Sequence, residues 1–154
     1  MEIERKYLIT APPKGYESWE CHKIEQAYLC TDPVVRIRRE NDQYYLTYKS
    51  KGLLKREEYN LPLTKEAYEH LLAKADGIVL TKRRYKKPIE GTELVIELDV
   101  FSGEYEGLIL AEVEFPSLEE AERFIPPEGF GEDVTLSGQY QNSRLSRGRK
   151  KDSC

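Results

Sequence analysis

The sequence predicts a mainly β (α+β) domain, one antiparallel arrangement of about eight strands with two or three short helices. Three observations carry this prediction. Most of the 154 residues alternate between apolar and polar with a period of two. Turn-forming pairs rich in Gly, Pro, Asn and Asp interrupt that alternation at intervals. Only two longer stretches switch to helical spacing, and each carries its own start and stop signals. The length suits a single domain spanning 1–154, with no repeat or linker inside it.

The strands are expected over residues 2–10, 20–30, 34–40, 43–50, 54–62, 78–87, 93–101 and 108–115, rich in Val, Ile, Leu, Tyr and Thr. Between them lie Pro12-Pro13-Lys14-Gly15, Asp32-Pro33, Asn41-Asp42, Lys51-Gly52, Ile89-Glu90-Gly91 and Ser102-Gly103. From Thr64 to Ala75, Thr64 supplies an N-cap, Ala67, Tyr68, Leu71 and Leu72 recur on one face, and Asp76-Gly77 ends the run. Ser117-Leu-Glu-Glu120 is a capping box opening a second helix, which Pro126-Pro127 stops after Ile125. A third, short helix is expected near Gln141–Ser146, and the basic run from Arg147 onward reads as a frayed terminus.

Lys and Arg number 24 and Asp and Glu 28, so a third of the chain is charged while the net is only −4. A disordered tail combines low hydrophobicity with a large net charge, and a general nucleic-acid binder carries a basic excess; neither describes this chain. No apolar run approaches the roughly 18 residues that span a bilayer, so no membrane partner is expected. Met1-Glu-Ile-Glu-Arg-Lys carries both signs and does not have the form of a secretory signal. Three cysteines, Cys21, Cys30 and Cys154, form no metal-type spacing, and their odd number suits a reducing, cytoplasmic setting.

Residues two apart on a strand share a face, and the charges are sorted strand by strand. Glu2, Glu4 and Lys6 share a face opposite Ile3, Tyr7 and Ile9. Arg36 and Arg38 stand together, Thr47 with Lys49, Arg56 with Glu58, Lys82 with Arg84, Glu97 with Asp99, and Glu112 with Glu114. A wet face of an ordinary sheet mixes signs and adds Ser, Thr and Gln, whereas like charges two apart repel unless something opposite lies between them. Converging acidic pairs suit a hard divalent cation, and converging Arg and Lys suit a multiply charged anion such as phosphate. A closed barrel brings all these faces to one lumen and removes exposed edges.

Glu2-Ile-Glu4-Arg-Lys6 resembles the ExExK signature of the CYTH superfamily, the triphosphate tunnel metalloenzymes. Arg36-x-Arg38, Lys49, Arg56-x-Glu58, Lys82-x-Arg84, Glu97-x-Asp99 and Glu112-x-Glu114 follow in a similar order, so the resemblance runs from residue 2 to about residue 130. It implies a closed antiparallel eight-stranded β-barrel with a few peripheral helices, whose tunnel binds a small-molecule triphosphate with Mg²⁺ or Mn²⁺, two ions when substrate is bound. By resemblance Glu2, Glu4, Asp99, Glu112 and Glu114 are metal ligands, and Lys6, Arg36, Arg38, Lys49, Arg56, Lys82 and Arg84 contact the substrate. Glu4, Lys6, Arg38 and Glu114 would bear most directly on the reaction, with Tyr28, Glu58 and Glu97 as accessory groups. Near the end, where relatives often carry an Asp-Lys-Arg-Tyr-like run, this chain reads Ser137-Gly138-Gln139-Tyr140-Gln-Asn142. That departure leaves open whether the segment closes the tunnel or grips phosphate.

Such a cavity suits hydrolysis of a terminal phosphoanhydride by a positioned water, with charge stabilisation in place of a nucleophilic side chain. Inorganic tripolyphosphate is the expected substrate, because the chain has no long insertion to recognise a base. The alternatives are thiamine or nucleoside triphosphate hydrolysis, ATP cyclisation, and a non-catalytic polyphosphate or nucleotide sensor. Trp19 in a turn-rich stretch, His22 beside Cys21, and His70 on the first helix are read as structural or surface residues. A homodimer is left open.

Overall fold

The computed structural model describes residues 1–148; residues 149–154, which include most of the basic run expected to fray and Cys154, lie outside the described residues. The strands are β1 (Glu2–Leu8), β2 (Glu20–Thr31), β3 (Val34–Glu40), β4 (Gln43–Lys49), β5 (Lys55–Arg56), β6 (Glu58–Pro62), β7 (Asp76–Pro88), β8 (Val95–Ser102) and β9 (Ile109–Glu114). The helices are α1 (Lys65–Leu72), α2 (Leu118–Arg123) and α3 (Asn142–Leu145). No helix among the described residues is long and apolar enough to cross a membrane.

The sheet order is β5-β1-β9-β8-β7-β2-β3-β4-β6, and the pairings are antiparallel. Its two ends, β5 and β6, are separated in sequence by Glu57 alone. The strand expected over 54–62 is therefore shared between both edges. Arg56 pairs with Glu2 on β1, while Glu58 pairs with Lys49 on β4. Backbone bonds from Glu4 to the Leu54 carbonyl (3.1 Å) and from Ser50 to the Glu57 carbonyl (3.0 Å) continue the seam on each side. Counted as one strand it closes a nearly complete eight-stranded barrel, which leaves no long edge open.

The apolar face of the wall points outward. Ile3, Tyr7, Ile96, Leu98, Ala111 and Val113 are buried there beneath Phe115, Phe124, Phe130, Tyr16 and Trp19. The covering helix α2 starts where Ser117 accepts the Glu120 N–H at 3.2 Å, and Ala121 fits beneath it with no exposed surface. On another side α1, capped by Thr64 accepting from Ala67 at 3.0 Å, sets Tyr68 over Ala27 and Ile37. The Tyr68 hydroxyl donates to Glu25 at 2.8 Å, so the helix is tied as well as packed.

A third apolar cluster lies inside the barrel rather than outside it. Leu8, Tyr28, Val34, Leu80, Phe101 and Leu110 join Tyr105, Tyr140 and Leu145 of α3 to stopper one end of the lumen. Tyr105 donates to the Leu145 carbonyl at 2.7 Å, and Ile78 donates to the Ser146 carbonyl at 2.6 Å. Gly77, at φ 72°, lies directly under that same carbonyl, where a Cβ would collide with it. The C-terminal segment thus closes the tunnel at this end, the point its departure from the charged run had left open.

Leu98, with no exposed surface, sits at the centre of the outer cluster. Leu98→Ala is expected to lower the free energy of unfolding by about 2–5 kcal/mol, read from the urea midpoint. Leu61→Ala, at a residue 57% exposed, should stay within about 0.5 kcal/mol of the parent.

Candidate active site

The inward faces of β1, β3, β4, β7, β8 and β9 meet in one cavity of about 130 Å³. Its walls carry Glu2, Glu4, Lys6, Arg36, Arg38, Lys49, Arg56, Glu58, Arg84, Glu97, Glu112 and Glu114, with Tyr28 at the stoppered end. Of the residues singled out in the sequence, Lys82 and Asp99 stand behind this lining. Strand register brings the others together. Glu4 faces Glu114 and Lys6 faces Glu112 across β1 and β9, and Glu97 faces Glu112 across β8 and β9.

Most of the charges neutralise one another. Arg84 holds Asp99 through two parallel bonds of 2.7 and 2.9 Å and also reaches Glu112 at 3.1 Å and Glu97 at 3.2 Å. Lys82 closes the far side of Asp99 at 2.7 Å, so both Asp99 oxygens are engaged by cations. Asp99, expected among the metal ligands, is geometrically a clamp on Arg84 and Lys82. Lys6 pairs with Glu112 at 3.0 Å, and Glu2 accepts from Lys49 at 3.1 Å and Arg56 at 3.3 Å. Burial would raise the Glu112 carboxyl, but Lys6 and Arg84 outweigh it and hold it well below the usual range.

Charges of both signs remain unneutralised. Glu4 has Arg56 no nearer than 3.8 Å, and Glu114 has neither a hydrogen bond nor an ion pair among the described residues. Burial, then the neighbouring Glu112 and Glu2 carboxylates, push Glu4 up to about 7. Burial and the charges of Glu2, Glu58 and Glu97 raise Glu114 too. On the other side Arg36 is buried in the cavity wall, and its Nε meets no acceptor among the described residues. Arg38 beside it donates from Nε to Gln26 at 2.8 Å and has Glu40 3.6 Å from Nη1.

The C-terminal segment meets these cations with neutral atoms. Lys6 donates to the Tyr140 carbonyl at 3.0 Å, Arg56 to Gln141 at 3.0 Å, and Lys82 and Gln26 to Asn142 at 2.9 and 3.0 Å. Burial pulls the Lys82 ammonium down to about 7 despite Asp99, with Arg84 and Arg38 adding repulsion. Strand alternation does not mark Gln26, Gln141 and Asn142, because an amide carries no charge for it to reveal. Tyr28, expected as an accessory group, accepts a long 3.4 Å bond from Gln26 and packs in the apolar stopper. Trp19 packs in the outer cluster and His70 is exposed on α1, so neither touches the cavity.

Carboxylate oxygens are the donors a hard divalent cation takes. Among the described residues no three such side chains are drawn around one point, since Glu2 and Glu112 are turned to Lys and Arg partners. The opposed pair of Glu4 and Glu114 nevertheless fits such an ion, because Glu4 has only the 3.8 Å contact with Arg56 and Glu114 has no ion partner among the described residues.

A nearly closed antiparallel barrel with a charged, one-ended lumen defines a class of tunnel protein, and sequence comparison places the chain within it. The CYTH domain model matches residues 1–125, and the chain belongs to the CYTH family. It is similar to an inorganic triphosphatase from Nitrosomonas europaea, 39% identical over 150 residues that cover 94% of this chain and 96% of the relative. An inorganic triphosphatase from Acetivibrio thermocellus is 36% identical over 148 residues, covering 94% and 92%. The crystal structure of the inorganic triphosphatase NE1496 superposes with a TM-score of 0.72 at 35% identity, over 97% of this chain and 96% of that one. A Hippeastrum protein, 15% identical with a TM-score of 0.62 over 98% and 93% of the two chains, shares the fold.

A carboxyl raised on folding keeps a proton that the unfolded chain gives up. Glu4 therefore withdraws stability as pH climbs from 4.5 to about 7, and the loss is complete above that window. Glu4→Gln is expected to raise the melting temperature of chelator-treated protein at about pH 8 and to leave it nearly unchanged at about pH 4. Adding divalent cation should raise the parent's melting temperature more than the variant's. Equal melting temperatures for the two proteins at the higher pH would remove Glu4 as an uncompensated charge.

Proposed function

We propose that the protein is a divalent-metal-dependent triphosphatase that hydrolyses the terminal phosphoanhydride of inorganic tripolyphosphate inside the tunnel. The observation that carries this reading is a single cavity joining an unpartnered buried guanidinium, Arg36, to the weakly paired carboxylate Glu4 and the unpaired carboxylate Glu114. Only a ligand bearing negative charge on one part and a divalent cation on another neutralises both. The two curated relatives named inorganic triphosphatase, matched along nearly the whole chain, support the same reading.

Mg²⁺ or Mn²⁺ is the proposed ion, held by Glu4 and Glu114 with Glu2 and Glu112 turning to join them, two ions when substrate is bound. Such an ion supplies Lewis-acid neutralisation of phosphate oxygens. The protein's own cations do the rest. Arg36 and Arg38 present forked donors to the phosphate chain, and Lys49, Arg56 and Arg84 add positive charge along the wall. Lys6 reaches the substrate from its seat between Glu112 and the Tyr140 carbonyl, and Lys82 supports the same field from behind the lining. Asp99 fixes Arg84, so the donors are aimed before substrate arrives, which is the condition for electrostatic stabilisation of the transition state. A water oxygen attacks the terminal phosphorus, the bridging P–O bond breaks, and orthophosphate and pyrophosphate leave.

Among the described residues the lining is charged or amide-bearing, apart from Tyr28, Val34 and Ser143. With Trp19 outside the cavity, no aromatic surface is offered to a thiamine ring or a nucleobase beyond Tyr28 in the stopper. This favours the inorganic substrate over a nucleotide cyclase.

Phosphate release from tripolyphosphate, ATP and thiamine triphosphate, each with Mg²⁺, with Mn²⁺ and with chelator, tests the proposal. Release is expected fastest from tripolyphosphate and absent with chelator. Glu4→Gln should cost about a hundredfold or more in turnover, the scale of losing a preorganised charge contact. Arg36→Ala should raise KM by about tenfold or more, as for a charge-assisted contact. Unchanged turnover in a folded Glu4→Gln protein would overturn the assignment of the site.

A further inference from the structure

The C-terminal segment enters the tunnel with two amides, and each is oriented by a partner that can only donate. Asn142 Oδ1 accepts from the Lys82 ammonium at 2.9 Å and from the Gln26 amide at 3.0 Å. Gln141 Oε1 accepts from Arg56 at 3.0 Å. Lysine and arginine have no acceptor, so turning either amide over would set N–H against N–H. Gln26 is locked in the same sense, because its oxygen accepts from Arg38 Nε at 2.8 Å. Its NH2 group therefore faces Asn142, and Asn142 presents its oxygen in return.

Both oxygens are thus committed to the protein, and both NH2 groups are left over. Neither Asn142 Nδ2 nor Gln141 Nε2 meets an acceptor among the described residues. Both side chains are nine-tenths buried or more, and both line the tunnel cavity. Among the described residues the side-chain polar atoms sealed in without a partner are Tyr7 Oη and Arg36 Nε, so neither amide nitrogen is closed off within the wall. An amide whose oxygen is held in this way offers a ligand donors only. The oxygens of a phosphate chain are acceptors, whereas a nucleobase or an aminopyrimidine ring presents donors as well.

We infer that Asn142 and Gln141 are substrate-contact residues, each donating an amide N–H to a phosphate oxygen of the bound chain. The inference rests on the triphosphate reading above and adds the means by which the uncharged segment takes part. Lys6, Arg56 and Lys82 already donate to this segment, and a further cation there would be repelled by them. An amide adds donors to the same place without adding charge. The segment then does both things that its departure from a charged run left open: its apolar side closes the tunnel, and its amides grip phosphate.

Asn142→Asp keeps the oxygen that Lys82 and Gln26 use and replaces the NH2 group with a second oxygen. Gln141→Met removes the amide without adding charge, while Arg56 keeps Glu2 at 3.3 Å. KM and kcat for tripolyphosphate are measured for the parent and both variants, together with their melting temperatures. KM is expected to rise about tenfold or more in Asn142→Asp and about fivefold or more in Gln141→Met, the scale of a lost hydrogen bond to a charged group. The fall in kcat should be the smaller factor in each. Melting temperatures should stay within about 4 °C of the parent's, and a larger fall would trace the KM change to a loosened segment and overturn the inference. Ser143→Asp puts the same charge on the same lining with both amides in place, so its KM should rise less than that of Asn142→Asp. An equal rise would assign the loss to charge alone and remove Asn142 from the contact; a parent-like KM in Gln141→Met would remove Gln141. Either result leaves the triphosphatase reading intact. If the parent fails to turn over tripolyphosphate, that reading fails separately. The comparison is then made on calorimetric tripolyphosphate affinities, with the same outcomes for and against, and a parent that does not bind overturns both.

Discussion

The structure depends on one constraint: a lumen lined by charges must neutralise them internally, because removing an ion from water costs several kcal/mol unless a partner of opposite sign is fixed beside it. Arg84 is the centre of that arrangement. Its guanidinium is shared among Asp99, Glu97 and Glu112, which come from both of the strands following β7 in the sheet. Shear then brings Glu2 at the start of β1 against Lys49 at the end of β4, across the seam closed by β5 and β6. Closure of the barrel and pairing of its charges are therefore the same event. A barrel opened at that seam would strand Glu2, Lys49 and Arg56 together.

The apolar contribution to stability is displaced to the outside of the wall and to one end. Ile3, Leu98 and Val113 pack against α2 and the chain that follows it, where a barrel with an apolar lumen would need no such cover. The stopper of Leu80, Phe101, Leu110 and Leu145 seals the end from which α3 reaches the cavity. It also explains why the C-terminal segment can dispense with charge. Lys6, Arg56 and Lys82 each require an acceptor when buried, and the Tyr140 carbonyl, Gln141 and Asn142 supply one without adding a carboxylate that would compete for the cations.

Strand alternation made most of this legible. The faces bearing Glu2-x-Glu4-x-Lys6, Arg36-x-Arg38 and Glu112-x-Glu114 are the faces that line the cavity, because period two is a property of the backbone and survives closure. Periodicity does not give depth along the strand. Lys82 and Asp99 alternate in step with Arg84 and Glu97 yet lie behind them, and Leu80, Phe101 and Leu110 continue the same faces as an apolar plug. The strand over 54–62 was visible as one run, whereas its division at Glu57 between two edges depends on shear, which belongs to the sheet as a whole. Gln26 carries no pairing pattern of its own, and only three-dimensional register brings it to Arg38.

The exceptions to complete neutralisation give the tunnel its chemistry. If stability alone were served, Glu4 would face a cation as Lys6 faces Glu112; instead it faces Glu114, and like charges directly opposite on a sheet are destabilising. The cations show the converse: Arg36 is buried without an acceptor beside an Arg38 that has one at Nε. A pure anion receptor has no use for the first departure, and a pure metal site has none for the second. Part of the wall is fixed where Asp99 pairs with both Arg84 and Lys82. The same rigidity holds the donors in place at no further reorganisation cost when charge develops on the phosphate being transferred.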